Sequence, residues 1–426
     1  MLHKPKMEDV LICLLMVLQL GFQTNHFYDE DISFVITMIV GLYYLIFYKP
    51  KGKIVFSYGS KEYILWYLVF FGVCCMSLVT GKLASMTMFK KLIKNTLLPI
   101  IMSGIVFGKY LKNQKYNPTW LLELIVYAEV ITCIRVLLYT PLGELISKLD
   151  TTLYGHYLGV NYNNFTTPLA LVFCIVLYLN MFCKKKMIKS TIFIIINLII
   201  SGSRKAIVAS IICAVLLYLL KTDRNHVIKK IEQFAKVGIL VSVAVIIVYN
   251  NSYLRYIVIE RVIRAISTLG KEYEVLRVAG LGDASSRVRA ILREEAWETF
   301  TKYPVFGVGY YGFARLNQWG FYAHNNMLDI LANLGIVGFV SYYWYYAYQF
   351  YVSFRIKREN KRIKNSSRPD ILMLSFFVEL LIIEYGQITY FRMFALLPIL
   401  TVATCGKVIS ENEKVTQQAI GEYYYV

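Results

Sequence analysis

The sequence predicts an all-α, polytopic membrane protein of about twelve transmembrane helices with one long connection that carries a helix of its own. Two observations predict this. The 426 residues are 57% hydrophobic and only 17% charged, with a mean hydropathy of +0.51, which is too apolar for a soluble chain of that length. The apolar residues also gather into runs of roughly 17–25, the length that crosses about 30 Å of hydrocarbon as a helix.

The runs fall, in order, near 10–24, 31–48, 62–80, 92–108, 119–140, 165–182, 188–202, 204–220, 233–250, 326–353, 370–386 and 391–408. The first has Lys4 and Lys6 before it but also Glu8 and Asp9, and no small-residue cleavage site, so it reads as a first helix and not as a removed signal. Basic residues concentrate in 1–9, 49–61, 109–118, 183–189, 221–232, 355–369 and 408–426, which are alternate connections. Under the positive-inside rule these connections and both termini are cytoplasmic. The exception is GKLASMTMFKKLIKN, 81–95, whose four lysines sit on the other face and read as an interfacial amphipathic segment.

The net charge of +19 then needs no nucleic acid, because lysines and arginines beside a bilayer are held by anionic lipid. The eight cysteines lie in or beside apolar runs without CxxC or any Cys/His ligand spacing, so they read as small hydrophobes, with no zinc site and no cofactor expected. The chain reads as a single transmembrane domain, 1–426, with residues 251–325 as a large extracytoplasmic connection within it.

Arg204 and Lys205 interrupt the run 195–220. A charge at the bilayer centre costs about 2.5–3.5 kcal/mol, so the run divides into two helices with the pair at the outer turn. Ser201 or Ser203 can cap the second helix, and its positive end beside two cations makes an anion site; a snorkelling pair that merely ends a helix is the alternative. In the long connection, SSRVRAILREEAWETFTKYP reads as a helix ended by Pro304, with Arg289 and Arg293 on one face at i, i+4; internal salt bridges on a solvated helix are the plainer reading of Arg293. Gly307, Gly309 and Gly312 spell GxGxxG, but no strand surrounds them, so they read as a flexible turn and not as a nucleotide site.

His324, followed by Asn325 and Asn326, stands at the lip of the tenth helix, where a neutral imidazole can act as a general base. Asp29 and Asp31 have DxD spacing, for which an acidic cap on the second helix is the stronger reading than a metal site. The stretch LYGHYLGVNYNNFTTP, 153–168, supplies tyrosines and amides, including Asn163 and Asn164, of the kind that stack on and hydrogen-bond sugars and that also populate membrane interfaces. Arg392, before the last helix, is either a further clamp or an interfacial anchor.

Taken in order, SGSRKA at 201–206, PVFGVG at 304–309 after an arginine-bearing helix, and HNNMLDILANLGIVG at 324–338 resemble the O-antigen ligase and polymerase superfamily of bacterial envelope glycosyltransferases. LGVNYNN at 158–164 resembles a stretch of the polymerase branch, without the arginine that often precedes it. The resemblance implies a GT-C-like, metal-independent, inverting transferase in the cytoplasmic membrane. Its donor is a glycan on undecaprenyl pyrophosphate, its active site faces outward, and a flippase and a chain-length regulator are its expected partners. It gives Arg204 and either Arg287 or Arg289 the role of gripping the leaving pyrophosphate and His324 the role of base, with Lys205, Asn325, Asn163, Asn164 and Arg392 as binding residues. Polymerase and ligase share this donor chemistry. A transporter of lipid-linked sugars is the third reading, but it requires ionisable groups inside the bundle and short outer connections, and here, apart from Arg135, Glu123, Glu129, Glu379 and Glu384, the unusual charges collect outside.

Overall fold

The computed structural model describes residues 6–22, 30–48, 59–113, 118–139, 162–201, 203–221, 232, 235, 250, 284–359 and 367–423. Among these there is no strand. The helices are α1 (Met7–Phe22), α2 (Glu30–Phe47), α3 (Lys61–Thr80), α4 (Met86–Leu92), α5 (Leu98–Asn113), α6 (Thr119–Tyr139), α7 (Tyr162–Phe182), α8 (Ile188–Ser201) and α9 (Arg204–Lys221). They continue with α10 (Ala284–Lys302), the short α11 (Gly312–Leu316), α12 (Asn326–Glu359), α13 (Pro369–Glu384) and α14 (Met393–Tyr423).

Eleven of the twelve expected runs thus have a helical counterpart, and 233–250 lies outside the described residues apart from Ala235 and Asn250. Among the described residues, five spans are long and apolar enough to cross a membrane: Lys61–Thr80, Met86–Lys112, Asn164–Phe182, Asn326–Glu359 and Met393–Val415. The chain is therefore a polytopic helical membrane protein. The fourth run begins earlier than expected, because α4 joins α5 through a π-helical stretch at Ile93–Leu97. Ser85 caps α4, its hydroxyl accepting from Met88 N.

Which faces are apolar fixes the layering. Of the most apolar stretch of α14, 94% is buried against 33% for α3, so α14 forms the centre and packs on α5, α6, α7 and α13. On α2 the exposed apolar residues include Ile32, Val35, Ile39, Leu42 and Ile46, and on α8 they include Ile188, Ile192, Ile195 and Ile199. These are stripes at three- and four-residue spacing turned away from the bundle, a pattern that water penalises and lipid accepts. Between helices, buried polar side chains close on backbone oxygens: Trp66 Nε1 donates to Tyr342 O at 2.9 Å and Tyr63 Oη to Leu396 O at 2.8 Å.

A single break in a long helix positions the loops at this end of the bundle. Helix α12 is interrupted at Gly335, whose φ of 64° and ψ of −164° are not helical. The backbone groups so freed are taken up by the strap after Pro304. Val308 N donates to Ala332 O and Gly309 N to Asn333 O, while Ile336 N donates to Pro304 O and Val337 N to Val305 O. Irregular backbone in a membrane protein persists only where protein satisfies it in this way. A Cβ at Gly335 would stand 2.2 Å from Val305 O, and one at Gly307 2.4 Å from the Asn333 carbonyl carbon. The GxGxxG stretch is therefore a close backbone docking surface, which corrects the expectation of a flexible turn. Its other side pairs with the α3–α4 connection, where Leu83 N donates to Val308 O and Ser85 N to Tyr310 O.

The cysteines also depart from expectation. Cys174 of α7 and Cys213 of α9 meet Glu379 of α13, with thiol and carboxyl atoms all within 4.8 Å of one another and all three residues buried. Ser210 Oγ donates to Glu379 Oε1 at 3.4 Å. Positions 174, 213 and 379 come from three helices, so no spacing in the sequence reveals the trio.

Candidate active site

The turn Tyr385–Arg392, between α13 and α14, gathers the sequence motifs. Lys205, one residue into α9, donates through Nζ to Gly386 O at 3.1 Å and to Gln387 Oε1 at 2.6 Å. Gln387 Nε2 donates in turn to Asn164 Oδ1 at 2.9 Å. Asn325 Nδ2 donates to Tyr385 O at 3.3 Å, and Asn326 Oδ1 accepts from Thr389 N at 2.8 Å and from Tyr390 N at 3.3 Å. Three segments far apart in the chain are thus pinned to one short turn.

The turn is itself anchored from beneath. Glu384, fully buried, accepts from the hydroxyls of Tyr346 at 2.7 Å, Tyr343 at 3.0 Å, Tyr342 at 3.3 Å and, closest of all, Thr389. A buried carboxylate is tolerated only when its lone pairs are filled, and four hydroxyls fill them.

His324 lies in the loop that opens α12. Asn325 caps that helix, its Oδ1 accepting from Leu328 N at 3.0 Å, and Asp329 Oδ1 accepts from Ala323 N at 3.0 Å. Between these two tethers His324 has φ of 53°, a left-handed conformation that costs a non-glycine residue on the order of 1–2 kcal/mol and persists only when its neighbours impose it. Its ring stands 4.3 Å from that of Tyr322, tilted by 48°. Burial first, and then the positive charges of Arg289, Lys205 and Arg293, push the imidazole down from an ordinary 6.5 to about 3. It is neutral at physiological pH, and both the α9 turn and the α10 helix contribute cations to its surroundings.

Arg289 and Arg293 are both turned to this site. Arg293 Nε donates to Arg289 O at 3.2 Å and its guanidinium carbon stands 5.8 Å from the centre of the Tyr385 ring. This corrects the reading of Arg293 as part of a solvated, internally paired helix. Arg392 stacks 4.6 Å over Phe391. The Tyr322 hydroxyl is raised by burial and pulled back by Arg392 and then Arg289, so Arg392 also faces the site rather than serving only as an anchor.

The side chains of Arg204, Arg287 and Asn163 lie outside the described residues, although the first opens α9, the second is in α10 and the third is in α7. Asp29 and His156 are outside the described residues as well, as is the side chain of Asp31. Tyr322, Tyr385 and Gln387 escaped the sequence reading. The only signal was EYGQITYFR at 384–392, a polar break between two apolar runs that reads as an ordinary turn.

An uncharged imidazole ringed by cations, at the lip of an apolar bundle, can bind a polyanion and accept a proton beside it. Residues 189–343 match a protein family described as O-antigen ligase. The match runs from α8 into α12, takes in Lys205, Arg289, Arg293 and His324, and supports a likeness to the O-antigen ligase/polymerase superfamily. No curated protein matches the chain.

Proposed function

We propose, on the premise of that O-antigen ligase match over residues 189–343, that the chain is a polymerase joining undecaprenyl-pyrophosphate-linked oligosaccharide units into a capsular, exopolysaccharide or O-antigen chain. The observation that carries the proposal is the neutral, buried His324 among Arg289, Arg293 and Lys205. On this reading the bundle is GT-C-like with twelve spans, both termini are cytoplasmic and the site faces outward, where the donor's sugars are displayed.

The donor pyrophosphate lies among Arg289, Lys205 and Arg204. The acceptor sugar hydroxyl attacks the anomeric carbon of the donor from the face opposite the phosphate. The new C–O bond forms as the anomeric C–O bond to phosphorus breaks, the hydroxyl proton passes to His324, and undecaprenyl pyrophosphate leaves. Charge grows on the leaving oxygens, so guanidinium contacts strengthen toward the transition state. An imidazole at about 3 is a weak base, but part of that depression is the field of the cations. The arriving pyrophosphate cancels that field, so the donor itself raises the basicity of the group that activates the acceptor.

The test is in vitro conversion of lipid-linked repeat units by the purified protein. A ladder of longer lipid-linked glycans, lost in His324→Ala and Arg204→Ala, is the expected result. Transfer to a different acceptor without a ladder makes it a ligase, the reading the matched family's description favours. Movement of donor across a vesicle with no transfer makes it a transporter and sinks the enzyme reading.

A further inference from the structure

The cations around His324 exceed what a pyrophosphate requires. Arg289, Arg293 and Arg392 bring three guanidinium charges, and among the described residues none of them is paired with a carboxylate. Lys205 is held by two neutral oxygens. The neighbouring carboxylates are already committed to neutral donors: Asp329 to Ala323 N, Tyr390 Oη and Asn333 Nδ2, and Glu384 to its four hydroxyls. Glu298 of α10 faces Lys302 instead, at 3.7 Å. A pyrophosphate diester carries two negative charges, which leaves one guanidinium charge for a second anion.

Arg293 and Tyr385 indicate where that anion sits. Arg293 is one helical turn beyond Arg289 on the same face of α10, its guanidinium carbon 5.8 Å from the Tyr385 ring centre, and its charge reaches His324. Tyr385 keeps 54% of its surface exposed although its carbonyl oxygen is tied to Asn325. A half-exposed aromatic ring beside a guanidinium offers stacking to a pyranose ring and a bidentate contact to a carboxylate.

We propose that Arg293 and Tyr385 form a subsite for an acidic sugar, a uronate or another carboxylate-bearing residue of the glycan, next to His324. That the anion belongs to a glycan rests on the transferase reading of the site. The sugar's ring lies on Tyr385 and its carboxylate on Arg293, while Arg289 and Lys205 keep the pyrophosphate.

The experiment measures binding to the full-length protein in nanodiscs with two probes. One is a tetrasaccharide of alternating glucuronate and N-acetylglucosamine, against its carboxyl-reduced counterpart; the other is inorganic pyrophosphate. Wild type is expected to prefer the acidic tetrasaccharide by about tenfold or more. Arg293→Gln is expected to erase the preference and Arg293→Lys to restore part of it, while Tyr385→Ala weakens both sugars alike. Equal affinity of wild type for the two tetrasaccharides overturns the subsite, as does a preference that survives in Arg293→Gln. The two readings separate through the second probe. Pyrophosphate bound through Arg289 without sugar discrimination removes the subsite and leaves the transferase standing; sugar discrimination without pyrophosphate binding or transfer removes the transferase and leaves an acidic-glycan site.

Discussion

The Lys205 ammonium donates to Gln387 Oε1 at 2.6 Å across 182 residues of chain, and the same amide donates onward to Asn164 Oδ1. One glutamine therefore sets both the position of a site cation and that of the LGVNYNN segment. Gln387→Ala leaves Lys205 with a single acceptor and Asn164 without its donor, and buried polar groups so orphaned cost about 1–3 kcal/mol. We expect a lower unfolding temperature in detergent and a KM for lipid-linked donor that rises more than kcat falls. Gln387→Glu instead neutralises Lys205, so donor affinity should drop most at low salt; unchanged donor KM in both variants contradicts this role.

His324 should report its surroundings in two pH profiles. With the imidazole held at about 3, kcat/KM for the free enzyme should stay on its plateau well below pH 6, while kcat, which reports the donor-bound state, should lose activity at a higher pH. Coincident acid limbs would remove the donor-assisted base. His324→Ala itself should cost a factor of about 10²–10⁴ in turnover.

The same residue makes stability pH-dependent. Because its folded pKa lies below the ordinary 6.5, the unfolded chain takes up a proton first as pH falls. Its contribution is complete above about 6.5 and is lost progressively toward 3. Thermal unfolding of His324→Asn should therefore fall less steeply across that window than wild type, and parallel curves would show that the imidazole is not buried among cations.

Gly335→Ala and Gly307→Ala each place a methyl against backbone, and both positions also require a positive φ, 64° and 66°, that alanine resists. Such positions cost about 1–3 kcal/mol in strain alone. Both variants should unfold earlier, whereas Gly320→Ala, with a positive φ of 65° but open space around it, should incur only the strain. Equal effects at all three positions would deny the close docking.

Chelator should leave turnover unchanged if the clamp is made of guanidinium and ammonium groups. A loss of activity with chelator would return attention to Asp29 and Asp31.

Much of the fold was legible because hydrophobic run length is imposed by the bilayer itself; the helix edges of α2, α3 and α7 fall within a few residues of where composition puts them. What composition could not reveal was the break in α12, since Leu334-Gly335-Ile336 is as apolar as its flanks and the break depends on a strap that precedes the helix in the chain. In the site, His324 and Lys205 were visible as polar residues out of place among greasy ones. Arg293 was misjudged because two glutamates follow it directly, and i, i+4 arithmetic cannot say which face of α10 meets α12. The roles of Gln387 and Glu384 were invisible for a different reason: their importance lies in what converges on them, and convergence is a property of three dimensions.

The strap at 304–309 and the split helix recognise each other through main-chain atoms, so the exposed side chains there are nearly free to vary. Val305 and Phe306 can drift toward other apolar residues without moving His324, while Gly307 and Gly335, and Val308 packed in the core beside Ala323, cannot. The His324 loop is thus registered to the bundle by an interface whose sequence signature reduces to Pro304 and its glycines, and two chains with the same site could share little else across this region.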